Sequence, residues 1–190
     1  MGSGKSAASY VFSSLGANVI DTDALAKSAL DSDAALKRGV LSLLGKEAYL
    51  EGGRLNRRYV ASKVFADKSL LEAYEALVHP ATERLWKSRI LKDRLNVLEI
   101  PLFFEKRKNF ASAGIFDFVC SIYCSEEVRI KRLLARGMAA DEISRRDSNQ
   151  MGAEEKLKLA DVVFFNEGSE DFLKRQIEIF FNRLIYGRGI

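Results

Sequence analysis

The sequence predicts an α/β fold of three layers, a parallel sheet between two layers of helices. Three observations predict it. Short apolar runs alternate with segments whose apolar residues recur at helical spacing, the pattern of strands joined by crossover helices. One run, residues 116–123, is apolar nearly throughout, as a strand covered on both faces is. The chain also opens on Met1-Gly2-Ser3-Gly4-Lys5-Ser6. Its Gly4-Lys5-Ser6 closes the pattern G-x-x-x-x-G-K-[ST], which joins a buried strand to a helix and cradles phosphate.

That pattern makes the predicted fold a P-loop NTPase. Met1, Gly2 and Ser3 take the last three x positions, so the leading glycine and the strand before it lie upstream of Met1. The first strand, central in such a sheet, is therefore absent from this chain, which leaves two strand edges open. The natural protein is expected to start further upstream. In the part present, glycine lets backbone N–H groups approach phosphate oxygens. The helix that follows turns its positive end to the same anion. Gly2, Ser3, Gly4, Lys5 and Ser6 are the candidate nucleotide-binding residues, with Lys5 on the β- and γ-phosphates and the Ser6 hydroxyl on Mg²⁺. Read without its context, the same stretch is equally a flexible Gly/Ser terminus.

The remaining elements follow in order. The first helix runs from Lys5 to about Leu15, before Gly16. Asn18-Val19-Ile20 is a short strand ending at Asp21. Residues 22–44 are helical by the spacing of Leu25, Ala29, Leu36, Val40 and Leu43. Glu51-Gly52-Gly53 is a turn. Asn56 can cap a helix reaching Phe65, and Asp67 one reaching Val78. His79-Pro80 breaks the pattern, with Pro80 opening another helix. Residues 96–100 form a strand stopped by Pro101, residues 116–123 the next, and 161–165 the last. Ser125 caps a helix ending near Gly137, and Ser169 caps the final helix.

Composition narrows the function. The chain has 190 residues, 47% hydrophobic and 29% charged, with a net charge of +4. That suits one compact domain with an insertion or two. The basic residues are scattered, with no Lys/Arg tract of the nucleic-acid kind. A polyanionic small molecule is the expected partner, not nucleic acid. No apolar run is long enough to span a membrane, and no signal peptide is expected. Met1-Gly2 with Ser6 fits a myristoylation pattern, but no adjacent polybasic cluster supplies a second anchor. Cys120 and Cys124 would lie on one strand face roughly 13 Å apart, too far for a disulfide. They read as core thiols in a reducing cytoplasm.

Several residues can carry chemistry. Asp21 and Asp23 follow a strand, at the edge where open α/β sheets bind ligands. A carboxylate there can accept a proton from an attacking hydroxyl or hold Mg²⁺ through water; Asp21 can be only a helix cap, and Asp23 is the stronger catalytic candidate. The charged block from Arg136 can form a lid that excludes water and neutralises the transferring phosphate, with Arg136 at its hinge. A solvated helical hairpin is the plain alternative. His79 is a lone histidine, more often structural than catalytic. Pro101, Leu102 and Glu105 follow a strand and can line a substrate pocket or merely end that strand.

Together these residues resemble the dephospho-coenzyme A kinase family, over nearly the whole chain. The resemblance rests on Gly2-Ser3-Gly4-Lys5-Ser6, Val19-Ile20-Asp21-Thr22-Asp23 and Gly53-Arg54-Leu55-Asn56-Arg57. It continues through Leu77-Val78-His79-Pro80, Ile100-Pro101-Leu102-Phe103-Phe104-Glu105, Lys131-Arg132-Leu133, Arg136 and Leu159-Ala160-Asp161 to Asn166 and Gly168. It implies ATP-dependent phosphorylation of the ribose 3′-hydroxyl of dephospho-coenzyme A, the last step of coenzyme A synthesis. It implies ATP and Mg²⁺ as cofactors, Asp23 as general base, and Lys5 and Arg136 on the transferring phosphate. Asn166 and Gly168 would lie near the adenine, and His79 on the coenzyme A side.

The implied organisation is a P-loop core of residues 1–25, 88–135 and 157–190, a helical coenzyme A-binding insertion of residues 26–87, and a lid of residues 136–156. The chain departs from the family at Gly152-Ala153, where a serine/threonine–arginine pair is usual, and at Lys156 and Phe165. The alternatives are another small nucleoside or nucleotide kinase, or an impaired relic that binds nucleotide without turnover.

Overall fold

The computed structural model describes residues 1–105, 114–148 and 150–187. It resolves into two compact units, residues 20–92 and the combination of 1–19 with 93–190.

The larger unit opens with α1 (Lys5–Ser14) and enters β1 (Asn18–Asp21). Gly16, at a φ of 94°, makes the left-handed turn between them. β1 pairs with β2 (Asn96–Glu99). The Asn18 N–H donates to the Leu95 carbonyl at 2.8 Å, and the Asn18 amide donates to Asn96 Oδ1 at 2.8 Å. β3 (Cys120–Tyr123) pairs in parallel with β4 (Val162–Phe165), with Ser121 opposite Val163 and Ile122 opposite Phe164. No ladder joins the two pairs among the described residues.

Between β3 and β4 lie α6 (Glu126–Ala135), α7 (Ala140–Asp147) and α8 (Ala153–Leu159); α9 (Glu170–Tyr186) follows β4. The core of this unit is Ala8 and Phe12 of α1, Phe164 of β4, and Leu173, Ile177 and Phe181 of α9. Phe12 meets Phe164 edge-on at 6.0 Å between ring centroids, and Phe164 meets Phe180 at 5.5 Å, the offset that aromatic quadrupoles favour. This packing anchors the first helix, and with it the glycine loop, onto β4 and α9.

The smaller unit is helical: α2 (Thr22–Ser32), α3 (Ala34–Leu44), a 3₁₀ turn at Lys46–Ala48, α4 (Arg57–Val64) and α5 (Lys68–Lys87). Its core includes Leu30, Leu36, Val40, Leu44, Val60, Val64 and Val78. The Tyr49 and Tyr59 hydroxyls donate to the Leu30 and Leu44 carbonyls at 2.9 and 3.1 Å, which satisfies the ends of α2 and α3.

Four expectations need correction. Residues 22–44 are two helices. Asp33 is extended, and its carboxylate accepts from the Ala35 and Leu36 N–H groups, so it ends α2 and caps α3. His79-Pro80 does not break the next helix, since α5 runs through Pro80. Proline in a helix interior loses one backbone bond. Val78, Ala81 and Trp86, buried on either side of it, hold the helix together. The strand expected over 116–123 is only Cys120–Tyr123, because the Val119 N–H turns to the Asp161 carboxylate at 2.7 Å. Both cysteines are free, but only Cys124 is buried; Cys120 is exposed.

Candidate functional site

The amino terminus is a loop built on two left-handed glycines. Gly2 and Gly4 sit at φ of 77° and 105°, a region that L side chains rarely adopt. Gly4 caps α1 without a side-chain hydrogen bond, and the first turn of α1 holds no acidic residue. The free N–H groups of that turn are therefore open to an anion. Lys5 and Ser6 are both exposed at the start of the helix.

A buried asparagine braces this loop. The Asn166 Nδ2 donates to the Ser3 carbonyl at 2.8 Å, and a Cβ on Gly4 would stand 2.0 Å from that nitrogen. Arg132 holds the asparagine in turn, donating to its carbonyl at 2.9 Å and to its Oδ1 at 3.4 Å. Arg132 had no role in the sequence reading beyond its place in the Lys131-Arg132-Leu133 match. Its partner lies 34 residues away in the chain, so no local pattern marks the contact. Asn166 thus touches the loop backbone directly. Gly168 lies exposed beyond β4, just before the Ser169 cap of α9.

Cations crowd the start of the loop. The Met1 amine donates to Gln150 Oε1 at 3.1 Å. Its pKa is pushed down to about 6, first by burial and then by the charges of Lys5, Lys156 and Arg129. Two of those cations carry carboxylate partners. Arg129 forms a two-pronged pair with Asp147, both contacts at 2.7 Å, and the pair raises its pKa. Lys156 meets Glu105 Oε1 at 2.8 Å, with both side chains largely buried. The same oxygen accepts the Met151 N–H at 3.0 Å. Burial pushes the Glu105 carboxyl up, but hydrogen bonds from Lys156 and from the Glu105 and Met151 backbone N–H groups outweigh it and hold the group below its usual range. Sequence reasoning missed Gln150, Asp147 and Arg129, which only the fold brings to Met1.

The other predicted site residues are placed as follows. Pro101 is exposed, and Leu102 takes a left-handed φ of 55°, unusual for a branched side chain. Phe103 packs edge-on against Phe104 and Phe116 at 5.6 and 5.7 Å, which supports that turn. Arg136 closes α6 and is exposed, followed by Gly137 at φ of 81°. In the helical unit, Asp21 is the cap of α2, accepting from the Asp23 and Ala24 N–H groups at 2.9 and 3.0 Å. Asp23 stands in the first turn with an exposed carboxylate paired to Lys27. His79 is half-buried on α5.

Among the described residues no group of three His, Cys, Asp or Glu side chains stands ready to hold a metal ion. The donors instead fit Mg²⁺, which keeps several waters and leans on substrate phosphates rather than a protein cage. The exposed Ser6 hydroxyl beside a cradle open to anions is such a donor. Among the described residues no helix is long and apolar enough to cross a membrane.

Comparison with known proteins bears on this geometry. The model of the dephospho-CoA kinase family matches residues 1–171. A dephospho-CoA kinase of Thermus thermophilus is 39% identical over 181 residues, covering 94% of this chain and 85% of the relative. One of Geobacter sulfurreducens is 33% identical over 178 residues, covering 93% and 90%. A crystal structure from Thermus thermophilus superposes with a TM-score of 0.82 at 35% identity, covering 100% of this chain and 94% of that one. The dephospho-CoA kinase of Campylobacter jejuni superposes with a TM-score of 0.71 at 26% identity, covering 98% and 94%.

Proposed function

The chain belongs to the dephospho-CoA kinase family, and from that premise we propose how its residues transfer a phosphoryl group from ATP to the ribose 3′-hydroxyl of dephospho-coenzyme A. The observation that carries the reading is the cradle itself: Gly4 in a left-handed conformation, an uncapped helix end, and Asn166 fixing the Ser3 carbonyl at 2.8 Å.

Phosphoryl transfer asks a protein mainly for positioning and charge stabilisation. The N–H groups of Gly2 to Ser6 orient the phosphates, and Lys5 stabilises charge on the transferring group. Ser6 would hold Mg²⁺, which would supply charge neutralisation to the phosphates. Arg136, at the end of α6 beside the left-handed Gly137, adds positive charge from the lid of residues 136–156. Asp23 accepts the proton of the attacking hydroxyl. Residues 26–87, with His79, hold dephospho-coenzyme A, and Pro101 and Leu102 are further substrate contacts. Gly168 stands near the adenine, where its missing side chain leaves room. The free thiols fit a reducing cytoplasm.

The test is incubation with ATP, Mg²⁺ and dephospho-coenzyme A, with coenzyme A detected by mass spectrometry. Product is expected from the wild type. Asp23→Ala should lower the rate by about 10²–10⁴-fold, the usual share of a general base. Undiminished turnover by Asp23→Ala would remove Asp23 from its role.

A further inference from the structure

The mechanism proposed above uses neither Glu105 nor Lys156 in transfer, yet the two form a largely buried ion pair beside the phosphate cradle. Lys156 lies on α8 and Glu105 on the turn that follows β2, so the 2.8 Å contact joins the lid region to the sheet. Adjacent residues tie the pair to the loop. Met151 donates its N–H to Glu105, and its neighbour Gln150 accepts from the Met1 amine.

The pair is unevenly satisfied. Glu105 Oε1 takes both contacts, whereas Oε2 is buried with no hydrogen-bond partner among the described residues. A buried carboxylate oxygen without a partner is costly, and natural proteins keep few of them. Arg129 offers a contrast, because both its carboxylate contacts with Asp147 are made, at 2.7 Å each. That fork locks α6 to α7, while the lysine is a point charge on a flexible stem held at one oxygen. A nucleoside triphosphate in the cradle would bring several anionic oxygens to the same neighbourhood. It would compete for a lysine whose present partner is only half satisfied.

We propose that Glu105 is a holding carboxylate for Lys156, and that the terminal phosphates of a bound nucleoside triphosphate draw the lysine off it, making Lys156 a phosphate-contacting residue of the closed lid. The proposal rests on the reading of residues 2–6 as a nucleotide cradle. Part of the binding energy of the triphosphate is then used to break the Glu105 contact, so affinity is set by the difference between two partners of one cation.

Titration calorimetry with ATP and separately with AMP, both with Mg²⁺, tests this. Lys156→Gln should weaken ATP binding by about tenfold, the order of one charge-assisted hydrogen bond, and leave AMP within about twofold. Glu105→Gln should do the opposite and tighten ATP by several-fold. In the Lys156→Gln background it should have no effect, which separates release of the lysine from the mere removal of a negative charge. Lys156→Arg and Glu105→Asp repeat the comparison with charge retained, should either first variant fail to fold. Arginine should keep ATP affinity within about threefold, and the shorter acid should tighten it. Shifts of the same sign in both single variants, equal losses for ATP and AMP, or tightening that persists without Lys156 would overturn the proposal. A wild type that binds neither nucleotide would overturn the cradle reading and the proposal together.

Discussion

At the scale of single residues, Gly4 and Asn166 decide whether the proposed phosphate cradle can form. Alanine at position 4 would put a Cβ 2.0 Å from the Asn166 nitrogen and would force a side chain into a φ of 105°. Gly4→Ala is therefore expected to abolish measurable ATP binding, and Asn166→Ala should not rescue it, because the backbone strain remains. Asn166→Ala alone frees the Ser3 carbonyl and leaves Arg132 without its acceptor at Oδ1. It should raise the KM for ATP by about tenfold, one to two kcal/mol in hydrogen-bond terms, with a smaller change in kcat. Steady-state kinetics check the split. The motif Gly4-Lys5-Ser6 is legible in the sequence, and so is the presence of Asn166. The contact between them is not, since 163 residues separate the asparagine from Ser3.

At the scale of elements, caps and a proline carry the predictions. Asp33 ends one helix and begins the next through two backbone N–H groups. Its carboxyl is held below the usual range, first by the Leu36 N–H, an effect that burial slightly opposes. Asp33→Ala should cost about 1 kcal/mol in chemical denaturation, the typical value of an N-cap. Because the folded pKa is depressed, the stabilisation is present above the unfolded value near 4 and is lost as pH falls through the folded one. The melting temperature of the wild type should therefore fall below about pH 4, and Asp33→Asn should flatten that fall. Pro80 gives the reverse case. It is exposed in the interior of α5, where proline costs up to about 3 kcal/mol, partly offset by its stiffening of the unfolded chain. Pro80→Ala is expected to stabilise the protein by about 1–2 kcal/mol, readable as a higher denaturation midpoint. The Asn56, Asp67, Ser125 and Ser169 caps were all visible in the sequence. Asp33 was not, because the apolar spacing of residues 22–44 stays in phase across the break.

At the scale of the whole molecule, the two units have separate cores. The larger holds residues 2–6 and the helices proposed as the lid, and the smaller holds Asp23 and His79. Ligands acting on different units should leave different marks in hydrogen exchange. ATP with Mg²⁺ is expected to protect amides of residues 2–8 and 150–156, and dephospho-coenzyme A those of residues 57–80. Either ligand at about a hundred times its Kd should add about 2.7 kcal/mol to the stability of the unit it binds. Protection by ATP confined to residues 57–80 would reverse the assignment of the units.

What the sequence determined by itself is whatever is local. The glycines set the backbone of the loop, the caps set most helix starts, and the order of motifs set the family, because each depends on residues within a few positions of one another. The tertiary structure decided the rest. It brought Arg132 and Asn166 to the loop, paired Lys156 with Glu105, and carried α5 straight through Pro80. It also set the four strands of the described residues in two pairs. These depend on where distant segments pack, and packing energy is shared across a core, so no short stretch of sequence encodes it.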